Sequence, residues 1–259
     1  MKSGGIPGQA LLWGLALFGA HICTAHAGSF TVNPVRVTLS PTQAVAAITV
    51  RNVGTEPAVV QLETSSWNQH AGQDVLVSTT EVLATPPIIT VPPGASRIIR
   101  VGLRRPADPQ RELTYRLFLR EVPPPEPISQ GLRVALLLSI PIFVVPPHMP
   151  GPQVQWHAVR MQDGNIRIQA HNTGQSHVQL GELQIAGAGG GPVLATRNMS
   201  EYLLPDNARE WTVAAKSVPA AGAPLVIASQ ADIGRLTANV TLEDDPRELN
   251  PKTPGTAAR

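Results

Sequence analysis

Residues 132–145 read LRVALLLSIPIFVV and are fenced by prolines, with VPPPEP upstream and PP directly after. Leu132, Val134, Leu136, Leu138 and Ile140 fall at every second position. A strand sends alternate side chains to opposite faces, so these five would line one face. Such an aliphatic row can fill the chain's own core, or be lent to another protein by strand addition. The 26 prolines argue against long helices, because proline lacks the backbone donor and clashes inside a helix.

The N-terminus carries the marks of export. Met1 and Lys2 precede an apolar run over 10–20, and Ala25-His26-Ala27 is an A-x-A cleavage signal. The run is too short for a membrane span. Cleavage is expected after Ala27, making 1–27 a signal peptide and leaving 259 − 27 = 232 exported residues. The single cysteine, Cys23, lies in the removed segment, so the mature chain holds together by core burial rather than by disulfides.

Charge narrows the partners. The formal net charge is +2 with acids and bases interspersed, and aromatics are 4% of residues. Neither a basic stripe nor a stacking platform for nucleic acid is present in that pattern.

Short apolar runs separated by Gly, Pro and Asn recur along the chain. The first series covers 30–39, 44–52, 58–64, 88–91, 96–103, 113–122 and 132–145, a pattern that suits an immunoglobulin-like sandwich. A second series covers 154–161, 165–172, 178–186, 202–204, 209–213, 225–228 and 235–242. Arg51-Asn52-Val53-Gly54 is echoed by His171-Asn172-Thr173-Gly174, and Val91-Pro92-Pro93-Gly94 by Leu203-Leu204-Pro205-Asp206. Arg51-Asn52-Val53-Gly54 reads as a turn between two strands, because Asn and Gly accept positive φ, and Val91-Pro92-Pro93-Gly94 reads as a second such corner. The expected architecture is all-β: two immunoglobulin-like sandwiches over 28–146 and 147–243, joined by a stiff Pro-rich segment near 146–152. The polar tail 244–259 is expected to be disordered.

No catalytic constellation is visible: there is no H-E-x-x-H, G-x-S-x-G or Walker lysine motif. Gly187-Ala188-Gly189-Gly190-Gly191 lacks a following Lys-Ser or Lys-Thr and reads as a hairpin loop. His157, His171 and His177 are scattered, and no metal or cofactor is expected. The triplets Asn198-Met199-Ser200 and Asn239-Val240-Thr241 match a glycosylation pattern and are given little weight in a chain that looks bacterial. Two arginines stand out, Arg36 and Arg116, each read as lying mid-strand. Such an arginine either faces solvent or, between two domains, grips a carboxylate with its fork.

The ordered set of motifs resembles the PapD-like periplasmic chaperones of the chaperone–usher pilus pathway. Phe30-Thr31-Val32 leading to Val35-Arg36-Val37 looks like the family's first strand, and Asn52-Val53-Gly54 like its N-x-G turn. Ser66-Trp67-Asn68, Ala84-Thr85-Pro86-Pro87 and Val91-Pro92-Pro93-Gly94 followed by Ile99-Arg100-Val101 match further motifs in order. Tyr115-Arg116-Leu117-Phe118-Leu119-Arg120-Glu121-Val122-Pro123 is similar to its penultimate strand. The resemblance implies an L-shaped pair of sandwiches that captures pilus subunits lacking a strand, by donor-strand complementation, and delivers them to an outer-membrane usher. On that reading Leu132, Val134, Leu136 and Leu138, with Ile140 at the end, form the inserted row. Burying each is worth roughly 1.5–3 kcal/mol before ordering and association costs.

The family's common form anchors the terminal carboxylate of its subunits with two cations. Arg36 matches the first, and Pro141 stands where the second, a lysine, would be. The Ser139-Ile140-Pro141-Ile142-Phe143 ending is similar to the archaic branch, which serves spore-coat-protein-U-type subunits. There the penultimate-strand arginine, here Arg116, is implied as first anchor and Arg36 as second. The resemblance implies no membrane insertion, and the exposed row makes self-association of the free protein an expectation. The alternative is a structural or adhesive two-sandwich surface protein, or a pilus subunit, using 132–145 as its own core strand.

Overall fold

The structure is a computed structural model that describes residues 30–123, 134–148 and 150–245. The segment 1–27 expected to be a signal peptide, Leu132 and the tail beyond Asp245 therefore lie outside the described residues. Among the described residues every regular element is a strand.

The first sandwich holds β1 (Phe30–Asn33), β2 (Val37–Leu39), β3 (Val45–Asn52), β4 (Ala58–His70), β5 (Gln73–Ser78), β6 (Val82–Thr85), β7 (Ile88–Val91), β8 (Ser96–Leu103), β9 (Leu113–Val122) and β10 (Leu137–Val144). One sheet runs β1-β3-β8-β6; the other runs β2-β10-β9-β4-β5, with β7 also on β4. The single strand expected over 30–39 is two. Pro34 cannot donate to a ladder, and the chain crosses there from one sheet to the other. β1 pairs with β3, whereas β2 runs parallel to β10. Arg36 consequently sits in the bend between them, not mid-strand. The crossing lets Phe30, Val37 and Leu39 all bury in one core with Ile48, Val50, Ile99, Leu117, Leu119 and Ile142.

The second sandwich holds β11 (Val154–Arg160), β12 (Asn165–Asn172), β13 (Val178–Gly187), β14 (Val193–Arg197), β15 (Glu201–Leu203), β16 (Asn207–Ala214), β17 (Pro224–Ala231) and β18 (Gly234–Asp244). β18 serves both sheets: its residues through Thr241 pair with β17, and Leu242 onward runs parallel to β11. This places Leu242 in a second core with Ile166, Ile168, Leu180 and Ile227. The tail expected to be disordered from Asp244 is ordered for two residues more. Asp244 ends β18, and Asp245 is buried against the Arg167 guanidinium, whose charge it neutralises. The glycine run closes the β13–β14 hairpin, with Gly189 and Gly190 at positive φ.

The echo between the halves is physical. Asn52 and Asn172 are both buried. Asn52 donates to the carbonyls of Glu56 (2.7 Å) and Val91 (2.9 Å) and accepts from the Gly54 amide (2.8 Å). Asn172 donates to the carbonyls of Ser176 (2.7 Å) and Leu203 (3.2 Å) and accepts from the Gly174 amide (3.0 Å). Each backbone carbonyl accepts from the left-handed residue of the partner corner: Gly94 to Asn52 at 3.1 Å and Asp206 to Asn172 at 2.9 Å. Positive φ falls at Gly94 (70°), in the corner read as a turn, and at Asp206 (58°), but not in the Arg51-Asn52-Val53-Gly54 run where it was also expected. The asparagine side chain holds its turn by replacing missing backbone partners. Gly174 is required for a different reason: a Cβ there would meet the Gln153 amide nitrogen at 2.4 Å.

Candidate functional site: an open strand edge beside an inter-domain cleft

β10 pairs with β9 from Leu137↔Arg120 to Val144↔Leu113, so the regular strand is shorter than the 132–145 expected. Its start has a local cause. The Leu136 carbonyl still accepts from the Glu121 amide at 2.9 Å, but the Leu136 amide donates to the Glu121 carboxylate at 3.0 Å instead of to a carbonyl. The ladder ends where that side chain takes over.

The aliphatic row lies on the core side of the sheet and grades from outside to inside. Val134 is 47% exposed, Leu136 and Leu138 are half-buried against the first core, and Ile140 is 3% exposed. Ile140 therefore continues into the chain's own core with Ile142 and Val144, and the part presented outward ends at Leu138.

The backbone of β10 is open over the same stretch. Leu136 bonds to β9, so by antiparallel alternation Leu138 and Ile140 do too, while Leu137, Ser139 and Pro141 turn their backbone groups to the far edge. β2 covers that edge only at Ile142–Val144. Among the described residues no strand covers Leu137 to Pro141. The missing N–H of Pro141 thus falls on the open edge, where the β9 ladder loses nothing.

Alternation puts Pro141 and Phe143 on the opposite face, toward the second sandwich. Phe143 and Trp67 bury there against Leu204 and Tyr202. Arg116 stands opposite Pro141 on β9. Its guanidinium lies 3.7 Å from the Trp67 ring centroid and 5.5 Å from that of Tyr202. Burial pushes its pKa down from the usual arginine range, with Asp74 and Tyr202 opposing. Among the described residues it has no ion-pair partner, so aromatic faces hold it while its N–H edge stays free. Burial likewise raises the Tyr202 phenol, which Arg36 and Arg116 partly offset. Arg36 differs: it is paired with Asp232 at 2.7 Å, from the β17–β18 turn.

Three further contacts set the cleft. The Gln69 amide donates to the Tyr202 carbonyl (2.8 Å) and accepts from the Leu204 amide (3.0 Å). Arg209 of the second sandwich reaches Asp74 of the first. Glu112 is bonded to His177 twice, at Nδ1 (2.6 Å) and at the backbone amide (3.0 Å), while the His177 ring stacks on Phe143 at 3.5 Å. Sequence reasoning missed Gln69, Asp74, Glu112, Tyr202, Arg209 and Asp232 because each has a partner far away in the chain, and no local pattern marks it. Among the described residues no three His, Cys, Asp or Glu side chains converge on a metal position.

Residues 29–150 match the family described as pili and flagellar-assembly chaperone, PapD N-terminal domain. No curated protein matches the sequence. A chain of the CsuC–CsuE chaperone–tip adhesion subunit pre-assembly complex, from the archaic chaperone–usher Csu pili of Acinetobacter baumannii, aligns with a TM-score of 0.60. Its identity is 18% over 83% of this chain and 99% of that one. The E. coli chaperone DraB aligns with a TM-score of 0.56 and 23% identity, over 85% of this chain and 98% of that one. A chain of the Salmonella enterica SafA pilin–SafB chaperone complex gives 0.55 and 16%, over 82% and 96% respectively. The likeness to these solved structures is one of fold, two immunoglobulin-like sandwiches.

Proposed function

We propose that this chain, a PapD-like chaperone of pilus assembly, holds its subunits by adding β10 to their incomplete sandwich and fastening their terminal carboxylate with Arg116. One observation carries the reading. The uncovered edge of β10 lies in the lane that β2 occupies further on, and Arg116 faces the cleft at the point where that lane changes hands. A subunit strand laid on Leu137 and Ser139, parallel to β10 as β2 is, runs toward the start of β2. Its C-terminal carboxylate then arrives beside Pro141, with Arg116 opposite and Arg36 in the bend before Val37. Arg116 brings an unpaired fork suited to a carboxylate; Arg36 must first leave Asp232. Arg116 is therefore the main anchor and Arg36 the second.

Val134, Leu136 and Leu138, with Leu132 before them, enter the subunit's open core, each worth roughly 1.5–3 kcal/mol on burial. Covering that open edge keeps the subunit from aggregating without nucleotide hydrolysis. The subunits are of the spore-coat-protein-U type, and delivery is to an outer-membrane usher. The chain works in the periplasm after cleavage following Ala27. The test is periplasmic co-expression with candidate subunits and affinity recovery through a C-terminal tag. Arg116→Ala is expected to remove the subunit from the eluate while the chaperone's melting temperature holds; full recovery would overturn the anchor assignment.

A further inference from the structure

The six-stranded sheet of the first domain has a second open edge, at the end away from β10, formed by β5. All six residues of β5 are exposed, including three consecutive large apolar ones, Val75 (39%), Leu76 (46%) and Val77 (57%). Exposed strand edges are usually blunted by lysine, proline or a bulge, and β5 contains none of these. Its one charge, Asp74, is already neutralised by Arg209 and bonded by Gln69 at 3.0 Å.

The hairpin geometry fixes which backbone groups are free. β4 and β5 meet in the two-residue turn Ala71-Gly72, with His70↔Gln73 as the closing pair. In such a turn the closing pair exchanges both hydrogen bonds, so Gln73, Val75 and Val77 bond to β4. The Thr79 amide donating to the Thr64 carbonyl at 3.1 Å keeps that alternation. Asp74, Leu76 and Ser78 therefore point their N–H and C=O groups outward.

We propose that β5 is a self-pairing edge, joining two copies of this chain into a two-fold dimer with the axis at Leu76. An antiparallel isologous pair must match outward residues with outward residues. Centring on Leu76 uses all three: Leu76 meets its own copy, and Asp74 meets Ser78 of the partner copy. On one face Val75 then stands against Val77, and on the other the two Leu76 side chains meet. Apolar residues oppose apolar ones on both faces, and no like charges are opposed. The match is specific to a second copy, because it is the sequence DVLVS read against itself in reverse. β10 stays open in this dimer, so self-association and the capture of pilus subunits use different edges of one sheet and fail independently.

The test uses single-cysteine variants of the protein purified from the periplasm, with the wild-type chain as control. Leu76→Cys brings two thiols together across the axis, in a pair whose Cα atoms are about 5.5 Å apart and within disulfide reach. Ser78→Cys places them more than about 13 Å apart by strand rise. Rapid oxidation to a covalent dimer in Leu76→Cys but not Ser78→Cys is expected. So is loss of the dimer on sedimentation in Leu76→Lys, with the circular dichroism of that exposed-site variant unchanged. A monomer at all concentrations, equal crosslinking of both cysteine variants, or a dimer lost on Val134→Glu with Leu136→Glu but kept in Leu76→Lys would each overturn the proposal.

Discussion

Arg116 stands directly opposite Pro141 in the β9–β10 register, and both face the cleft between the sandwiches. A cation and a residue without an N–H thus meet where the open edge of β10 passes into the part covered by β2. The proposed role of Arg116 as receptor for a chain end rests on this: no ion pair among the described residues engages its fork.

Arg116 and Arg36 should differ on truncation. Losing a charge-assisted, two-bond contact costs about 1.5–3 kcal/mol, or roughly 10- to 100-fold in affinity for the pilus subunit. Arg116→Ala should fall in that range. Arg36→Ala should cost less than about 10-fold, because the wild-type residue gives up Asp232 to bind. Arg116→Lys keeps the charge without the fork or the stack on Trp67 and should lie between. Titration of purified chaperone with a peptide made of a pilus subunit's last residues measures all three.

The paired asparagines should mark the stability of each sandwich. Asn52→Ala deletes three bonds and leaves the Val91 carbonyl without its side-chain donor. A loss of about 2–4 kcal/mol is expected in denaturant unfolding of the first sandwich. Asn172→Ala should do the same to the second.

The β4–β5 turn can be improved. Ala71 sits at φ 48°, which costs a side chain with a Cβ about 1–2 kcal/mol, and Gly72 at φ 75°. Ala71→Asn creates the Asn-Gly pair such turns favour. Thermal unfolding should show a gain of about 1 kcal/mol.

Acid should weaken one contact in a defined window. The Tyr115 hydroxyl donates to Glu81 at 2.7 Å, and this bond, helped by Arg105, holds Glu81 below its ordinary value of 4.5. A lowered carboxylate pKa means that the stabilisation is present above the ordinary value and is lost as pH falls through the lowered one. Tyr115→Phe should therefore cost about 1 kcal/mol at neutral pH, discounted because Glu81 is partly exposed. The gap from wild type should narrow only as pH falls below 4.5, the ordinary value, and Glu81 takes up its proton. Unfolding curves from neutral pH down through the acid range test this, and a gap that does not change with pH would show that the phenol acts otherwise.

Alternation of apolar residues made most strands legible in the sequence. Ile88–Val91, Ser96–Leu103, Leu113–Val122 and Asn165–Asn172 match the structure end to end. β5 was invisible because it buries neither face and so carries no alternation. β6 and β14 were missed as short runs. Splitting β1 from β2 needed the partner strands, since a proline alone does not say which sheet follows. Within the site, the row and the two arginines were legible as residue types. Their states were not: only three-dimensional contacts show Arg36 tied to Asp232, Arg116 stacked on Trp67, and Ile140 already inside.

The central claim is that the outward part of the β10 row is what a subunit takes up. The most direct measurement is stoichiometric recovery of a co-expressed pilus subunit by wild-type chain and by Val134→Glu with Leu136→Glu. Val134 is exposed and Leu136 half-buried, so the variant should fold. One subunit per wild-type chaperone and none with the folded variant is the predicted result; equal recovery by both would contradict it.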